Sequence, residues 1–563
     1  MSGQESSVPR TADPAGRFAD GYAQGWNRTE VSRPLAILVS VVFCAGLVVV
    51  PLIDGLLGSW REPFGQARAG IARVRAPFSK SPATWSAVVE ANNASLGTIE
   101  SFETSLEESS AIAGFLRPSA LDALLRWGGA GSEEAYVGHD GWLFYRPDVD
   151  ALVLGRTGEN RAVEGIADFA AQLAARGIRL VVVPIPGKAT IQPEQLAWPT
   201  TFFELPPASP AVSGLAAGLS TTVVEDHESG SALIPIIVDT TTHLWSRRNE
   251  TGEDQFLQTD SHWTPAAMRA VAGLAADAVE NAGVAGVPEQ FSTEGKTVAA
   301  VGDTALMHEL PGSSPLLRPQ SVEIETVLGA DGKEWRADRA SPVLVLGDSY
   351  TNIYSSEDLG WGKSSGFAEH LSLSLGCRVD KLARNDSGAR SAREMLAAED
   401  ARHPGWLDGK KVVVWVMAAR EFARGDWSQV ALAPAQQADR TNFFVAAPGK
   451  PVEVEAEVKS IGTLPASGAT PYADYLTAVH LTGLRDVASG REMEGEALAY
   501  LFTMRNRRIE IPPGLHAGSR IKLRLSNYAD KSDKLDSHNR GELDDLDVMM
   551  EEPNLAEWPD SQN

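Results

Sequence analysis

At 563 residues the chain exceeds what one core usually supports, so two or three domains are expected. Its net charge of −24 disfavours nonspecific nucleic-acid binding, which needs a basic footprint. The two cysteines, Cys44 and Cys377, exclude a disulfide framework and a cysteine-based metal site.

Residues 1–33 form a polar arm. From Pro34 to Ile53 the run PLAILVSVVFCAGLVVVPLI carries no charge. Spanning the hydrocarbon core takes a helix of roughly 20 apolar residues. Signal peptides have shorter apolar regions, so 34–54 is expected as a transmembrane anchor. Arg17, Arg28 and Arg33 precede the run, and Arg61, Arg68, Arg73 and Arg75 follow it. The positive-inside rule therefore gives no orientation. No second run is long enough to span.

Residues 55–135 read as a helical stalk and lead-in, with mixed apolar and acidic residues at helical spacing. From 136 to 433 strands and helices alternate. The predicted strands are 178–185, 233–239, 341–348, 377–383 and 411–417, mostly continuous apolar runs that suit burial on both faces. Helices are predicted at Glu164–Arg176, Pro265–Asn281 and Phe367–Leu375. This alternation predicts a three-layer α/β fold with a mostly parallel sheet. After about Pro434 the segments VEVEAEVKSI, YLTAVHLTGL, ALAYLFTM and SRIKLRLSN alternate apolar and polar residues between turns. They predict a small antiparallel β-sandwich over 434–540. Residues 541–563 contain acidic residues and no Lys or Arg, and are expected as a flexible acidic tail.

Two motifs carry chemistry. GDSY at 347–350 ends an apolar strand, where open α/β sheets build their sites. Ser349 there is a candidate nucleophile whose own backbone N–H could serve an oxyanion; the plainer reading is a capped strand-to-helix turn. TDSHWTP at 259–265 sets Asp260 and His262 two apart on one side of an extended chain, before a Thr264-Pro265 helix start. Asp260 could orient His262, and His262 could take a serine proton. D-x-H also resembles half of a metal site, but no further ligand cluster is evident, so no metal and no cofactor are expected. Together the motifs supply nucleophile, base and orienter.

With those residues in place, the chain resembles the alginate O-acetyltransferase family, the AlgJ/AlgX-like group of SGNH-related proteins. The resemblance covers roughly 136–423: VGHDGWLFYRPD (137–148), VVVPIPGKATIQPEQL (181–196), FLQTDSHWTPAAM (256–268), GDSYT (347–351) and VVVWVMAAREF (412–422), the last ending in Trp415-x(4)-Arg420. The Asp-His pair precedes the serine, as in the permuted members of the group. The resemblance implies Ser349, His262 and Asp260 as the catalytic residues of an SGNH-like O-acyltransferase, passing an acetyl group through Ser349 to a sugar hydroxyl. ARNDSGAR (383–390) resembles the second SGNH block, with Asn385 and Gly388 as oxyanion candidates. The third-block asparagine has no match after the 411–417 strand, and Arg420 stands nearby as a substrate-binding candidate or an ion-paired helix end. Trp142 and Trp263 read as core residues before sugar platforms.

The family further implies a polysaccharide acceptor and an acetyl donor delivered by a multi-spanning membrane O-acyltransferase. The place it implies is the inner (cytoplasmic) membrane, single-pass, with the body on the periplasmic side. Two other readings remain open: a carbohydrate acetyl esterase using the same triad, and a noncatalytic polysaccharide-binding or scaffold protein of an export complex. The identity of the polymer is not set by the residues.

Overall fold

The computed structural model describes residues 33–79, 84–128, 131–154, 161–196, 205–207, 234–308, 310–432, 443–465, 472–512 and 515–559. The polar arm before Arg33 lies outside them. The chain divides into two compact units, Met1–Ser119 and Ala120–Asn563.

The first unit is helical: Arg33–Leu57, Arg61–Arg75 and Trp85–Ser109, followed by the helix Ala111–Ala123, which begins in this unit and ends beyond Ser119. Asp54 is buried and caps the last of these: its Oδ1 accepts from Ala111 N at 3.0 Å and its Oδ2 from Ser110 Oγ at 2.5 Å. The expected anchor falls within Arg33–Leu57. Over the described residues alone, no helix is long and apolar enough to cross a membrane; several side chains of this helix are outside that set.

In the second unit all five predicted α/β strands pair in one parallel sheet. They are β1 (Arg179–Ile185), β2 (Ile236–Ile237), β3 (Val343–Gly347), β4 (Asp380–Ala383) and β5 (Val412–Ala418), in spatial order β2-β1-β5-β3-β4. Helices cover both faces. One side carries Pro265–Asn281 and Phe367–Leu375, packed on Val181, Val183, Val345 and Val414. The other carries Arg161–Ala174 and Ala389–Arg402, packed on Val182, Leu344, Leu346 and Trp415. β3 and β5 are buried along their whole lengths, which is why they read as unbroken apolar runs.

A buried lysine joins three of the sequence blocks. Lys188 Nζ donates to Leu143 O (2.6 Å) and Gln258 O (3.2 Å) and lies 5.5 and 5.4 Å from the Trp142 and Phe144 rings. Burial lowers its pKa to about 8. It fixes the Gly138–Tyr145 segment against the strand leading to His262. Trp142 and Trp263 are both buried, 7% and 0% exposed, so both are core residues.

The C-terminal domain differs from expectation. It is a closed barrel rather than a two-sheet sandwich. β6 (Val452–Ile461), β7 (Tyr475–Asp486), β8 (Ala497–Arg505), β9 (Arg520–Asn527) and β10 (Asn554–Glu557) form the ring β6-β7-β8-β10-β9, which returns to β6. β10 closes it, parallel to β8 and antiparallel to β9. Part of the expected tail is therefore a staple strand. Its one acidic residue, Glu557, is half-buried, while Leu555 and Ala556 are fully buried. The Asn554 amide donates to Phe444 O and Leu498 O and accepts from Ala446 N. Leu543, Val548 and Met549, from the same stretch, cover the outer face of β7 and β8. Counting charges alone hid these apolar positions.

Candidate active site

β3, an inner strand of the sheet, runs out at Gly347. Asp348 caps the next short helix, Ser349–Asn352, its Oδ1 accepting from Tyr350 N at 2.9 Å. Ser349 is the first helical residue, so its N–H precedes any intrahelical acceptor. A Cβ at Gly347 would lie 2.0 Å from Thr351 Oγ1, so the turn requires glycine. Burial raises the Asp348 pKa to about 6, against the pull of Arg420.

The D-x-H motif forms a tight bend. Phe256 bridges Trp263, and Leu257 N donates to His262 O at 3.0 Å. The bend aims His262 at Ser349: His262 Nε2 lies 2.8 Å from Ser349 Oγ, and Nδ1 lies 2.7 Å from Asp260 Oδ1. All three side chains are buried. Asp260 Oδ1 also accepts from His262 N (3.0 Å), and Oδ2 accepts from Asp303 N and Trp361 Nε1, both at 2.9 Å. Tyr350 presses on the imidazole at a centroid distance of 4.7 Å, and its hydroxyl donates to Ser261 O at 3.0 Å.

Sequence reasoning missed Asp303. It lies 3.4 Å from His262 Nδ1 and accepts from Ser261 N (2.6 Å) and Ser261 Oγ (2.5 Å). Its only local signal is an ordinary Gly-Asp-Thr helix start. Gly302 permits the approach, since a Cβ there would sit 2.2 Å from the Thr259 carbonyl carbon. Burial alone would lower the His262 pKa, but the hydrogen bonds and charges of Asp260 and then Asp303 outweigh it and raise it to about 10. Asp303 is correspondingly lowered, against its burial, by the His262 hydrogen bond and charge. Asp260, His262 and Asp303 offer ligand atoms within 4.8 Å of one another. The carboxylate oxygens are, however, already taken up by the donors just named, so the set reads as a hydrogen-bonded support for the imidazole.

The remaining candidates separate. Asn385 is buried; its Oδ1 accepts from Asn352 Nδ2 at 3.1 Å, and its own Nδ2 has no hydrogen-bond partner among the described residues. Such a buried amide is a candidate donor to the site. Gly388 starts the helix Ala389–Arg402, but the Glu421 carboxylate already occupies that helix start, accepting from Ala389 N at 2.9 Å and lying 3.1 Å from a Cβ at Gly388. Arg420 donates to Asp148 Oδ1 at 2.9 Å and lies 5.2 Å from the centre of the Tyr145 ring, so it is ion-paired at a helix start. Its charge still lowers the pKa values of Asp348 and Asp386 relative to what burial would give.

A pocket of about 200 Å³ opens beside Asp260, His262, Asp303 and Trp361 and is also lined by Ala473 and Arg507 of the barrel. The α/β domain therefore does not form this cleft alone.

Residues 135–419, just over half of the chain, match the family described as SGNH hydrolase-like domain, acetyltransferase AlgX. A Pseudomonas fluorescens protein named "Probable alginate O-acetylase AlgJ" is 28% identical over 262 residues, 45% of this chain and 60% of that one. Its namesake from Pseudomonas syringae pv. tomato is 27% identical over 227 residues, covering 38% and 53%. The chain thus spans less than two thirds of the length of these relatives. Among solved structures, the O-acetyltransferase domain of Pseudomonas putida AlgJ is 22% identical with a TM-score of 0.39, covering 52% of this chain and 93% of that one. Pseudomonas aeruginosa AlgX is 16% identical with a TM-score of 0.34, covering 70% and 91%.

Proposed function

The chain belongs to the SGNH hydrolase-like AlgX acetyltransferase family, and we propose that it O-acetylates a polysaccharide through an acyl-Ser349 intermediate. The observation that carries this reading is the hydrogen-bonded chain Ser349 Oγ–His262 Nε2, His262 Nδ1–Asp260. In the first half-reaction Ser349 Oγ attacks the donor's acetyl carbonyl, and its proton moves to His262 Nε2. The C=O pair shifts onto oxygen, then returns and expels the donor's alkoxide, which takes the proton from His262. In the second, a sugar hydroxyl gives its proton to His262 and attacks the acyl carbon. Ser349 Oγ then leaves and recovers the proton. Asp260 and Asp303 stabilise the imidazolium formed in each half.

In this reading the chain is anchored by 34–54, with its body on the extracytoplasmic side and its acetyl groups supplied by a multi-spanning membrane O-acyltransferase. Supporting the anchor, Ile37, Val41, Phe43, Leu47 and Val48 of Arg33–Leu57 are exposed apolar residues. The names of the relatives make a uronate polymer such as alginate the first acceptor to try.

The test uses purified chain, a chromogenic acetyl ester and an oligosaccharide acceptor. Acetylated sugar is expected from the native chain and not from Ser349→Ala. Ester turnover surviving that substitution would overturn the nucleophile. Acetate release without acetylated sugar, across a panel of acceptors, would favour the esterase.

A further inference from the structure

The barrel reaches the edge of the active site. Tyr472 lies just ahead of β7 and is 5% exposed. Its hydroxyl donates to Asp386 Oδ1 at 3.1 Å and lies within hydrogen-bonding reach of the Ser349 side chain. Asp386 has a left-handed φ of 57°, unusual for a residue with a side chain, and its other oxygen accepts from Asn539 Nδ2 at 2.8 Å. Next to it, Asn385 N donates to Ser537 O at 3.2 Å. Three barrel residues thus hold the loop after β4, and one of them, Tyr472, lies within reach of Ser349.

The strand β5 is followed by Ala419, Arg420 and Glu421, with no asparagine to supply an oxyanion donor. We propose that Tyr472 is a catalytic residue which donates its phenolic hydrogen to the oxyanion of the acyl-transfer intermediate, so that the barrel completes the oxyanion site. This rests on the acyl-Ser349 reading. As Ser349 attacks, its proton passes to His262. The phenol then turns its hydrogen from Asp386 to the new oxyanion, and Asp386 keeps the Asn539 amide. Ser349 N–H and Asn385 Nδ2, which has no partner among the described residues, are the other donors of the site. Burial holds the Tyr472 hydroxyl protonated well above the ordinary phenol range, as a donor requires.

The experiment compares Tyr472→Phe, Arg402→Ala and Ser349→Ala in the full chain, on a small chromogenic acetyl ester with no polymer present. Arg402 donates to Met549 O and Glu551 O and so fastens the C-terminal region to the α/β domain without touching Ser349. Removing one oxyanion donor costs on the order of 100-fold in kcat. That loss is expected for Tyr472→Phe, with KM and melting temperature little changed, while Arg402→Ala keeps its kcat. Wild-type kcat in Tyr472→Phe would overturn the proposal, as would an equal loss in Arg402→Ala, which would mark Tyr472 as a docking residue. If Tyr472→Phe melts below the assay temperature, 3-fluorotyrosine at 472 provides the second measurement. It keeps the shape and makes the phenol more acidic, so kcat must change; an unchanged kcat overturns the donor role. Turnover surviving Ser349→Ala would instead strike the acyl-serine reading beneath it.

Discussion

The parallel sheet and the C-terminal barrel bury apolar residues by different rules. In β1, β3 and β5 both faces are covered by helices, so nearly every position is apolar. In the barrel, β6 and β9 alternate between a filled interior and solvent, whereas β7 and β8 are buried on both faces over most of their length. The second face of β7 and β8 is covered by Tyr528, Leu535, Leu543, Val548 and Met549. The sheet places chemistry at a strand end by local sequence. The barrel contributes to the same centre only because distant segments close it and fix it against the loop after β4.

The largest effect should break the sheet's half of this contrast. Ser349→Ala is expected to lower ester turnover by roughly 10⁴-fold or more, with the melting temperature unchanged. A modest loss would move the nucleophile elsewhere. The barrel's half is tested by Leu555→Ala, which removes a fully buried side chain from the staple strand and should cost about 2–5 kcal/mol. Denaturant melts read this directly. A cost below about 1 kcal/mol would mean that β10 is not needed for closure.

Asp303→Asn sharpens the comparison within the site. Two carboxylates favour the His262 imidazolium, so the acid limb of kcat/KM should lie above the ordinary histidine range near 6.5. Removing one charge should move that limb to lower pH, with about a tenfold change in rate at neutral pH. An unmoved limb would separate Asp303 from His262. The stability sign follows. The His262 pKa is raised in the folded state, so its contribution is fully present below about 6.5 and is lost as pH rises through about 10. Melting temperatures measured between those values should fall less in the variant. Smallest is Trp361→Phe, which deletes one hydrogen bond to Asp260 and should cost about 1–2 kcal/mol of stability with only a small change in rate. A large loss of rate would show that Trp361 also sets the direction of Asp260.

The sequence by itself determined the five sheet strands, the strand-end position of Ser349 and the Asp260-x-His262 pair. Each is a local pattern: a continuous apolar run, a cap at a turn, or two residues whose spacing puts them on one side. Tertiary structure alone decided the rest. Asp303 is brought to His262 from 41 residues away by a glycine that lets two backbone segments touch. Glu421, distant in sequence, takes the first N–H of the helix that follows Gly388. The sandwich became a barrel because Asn554–Glu557 pairs with strands far before it, and alternation gives no sign of which edges will meet. Tyr472 meets Asp386 in the loop after β4 for the same reason: contact between domains is set by packed surfaces, which leave no periodic mark in the chain.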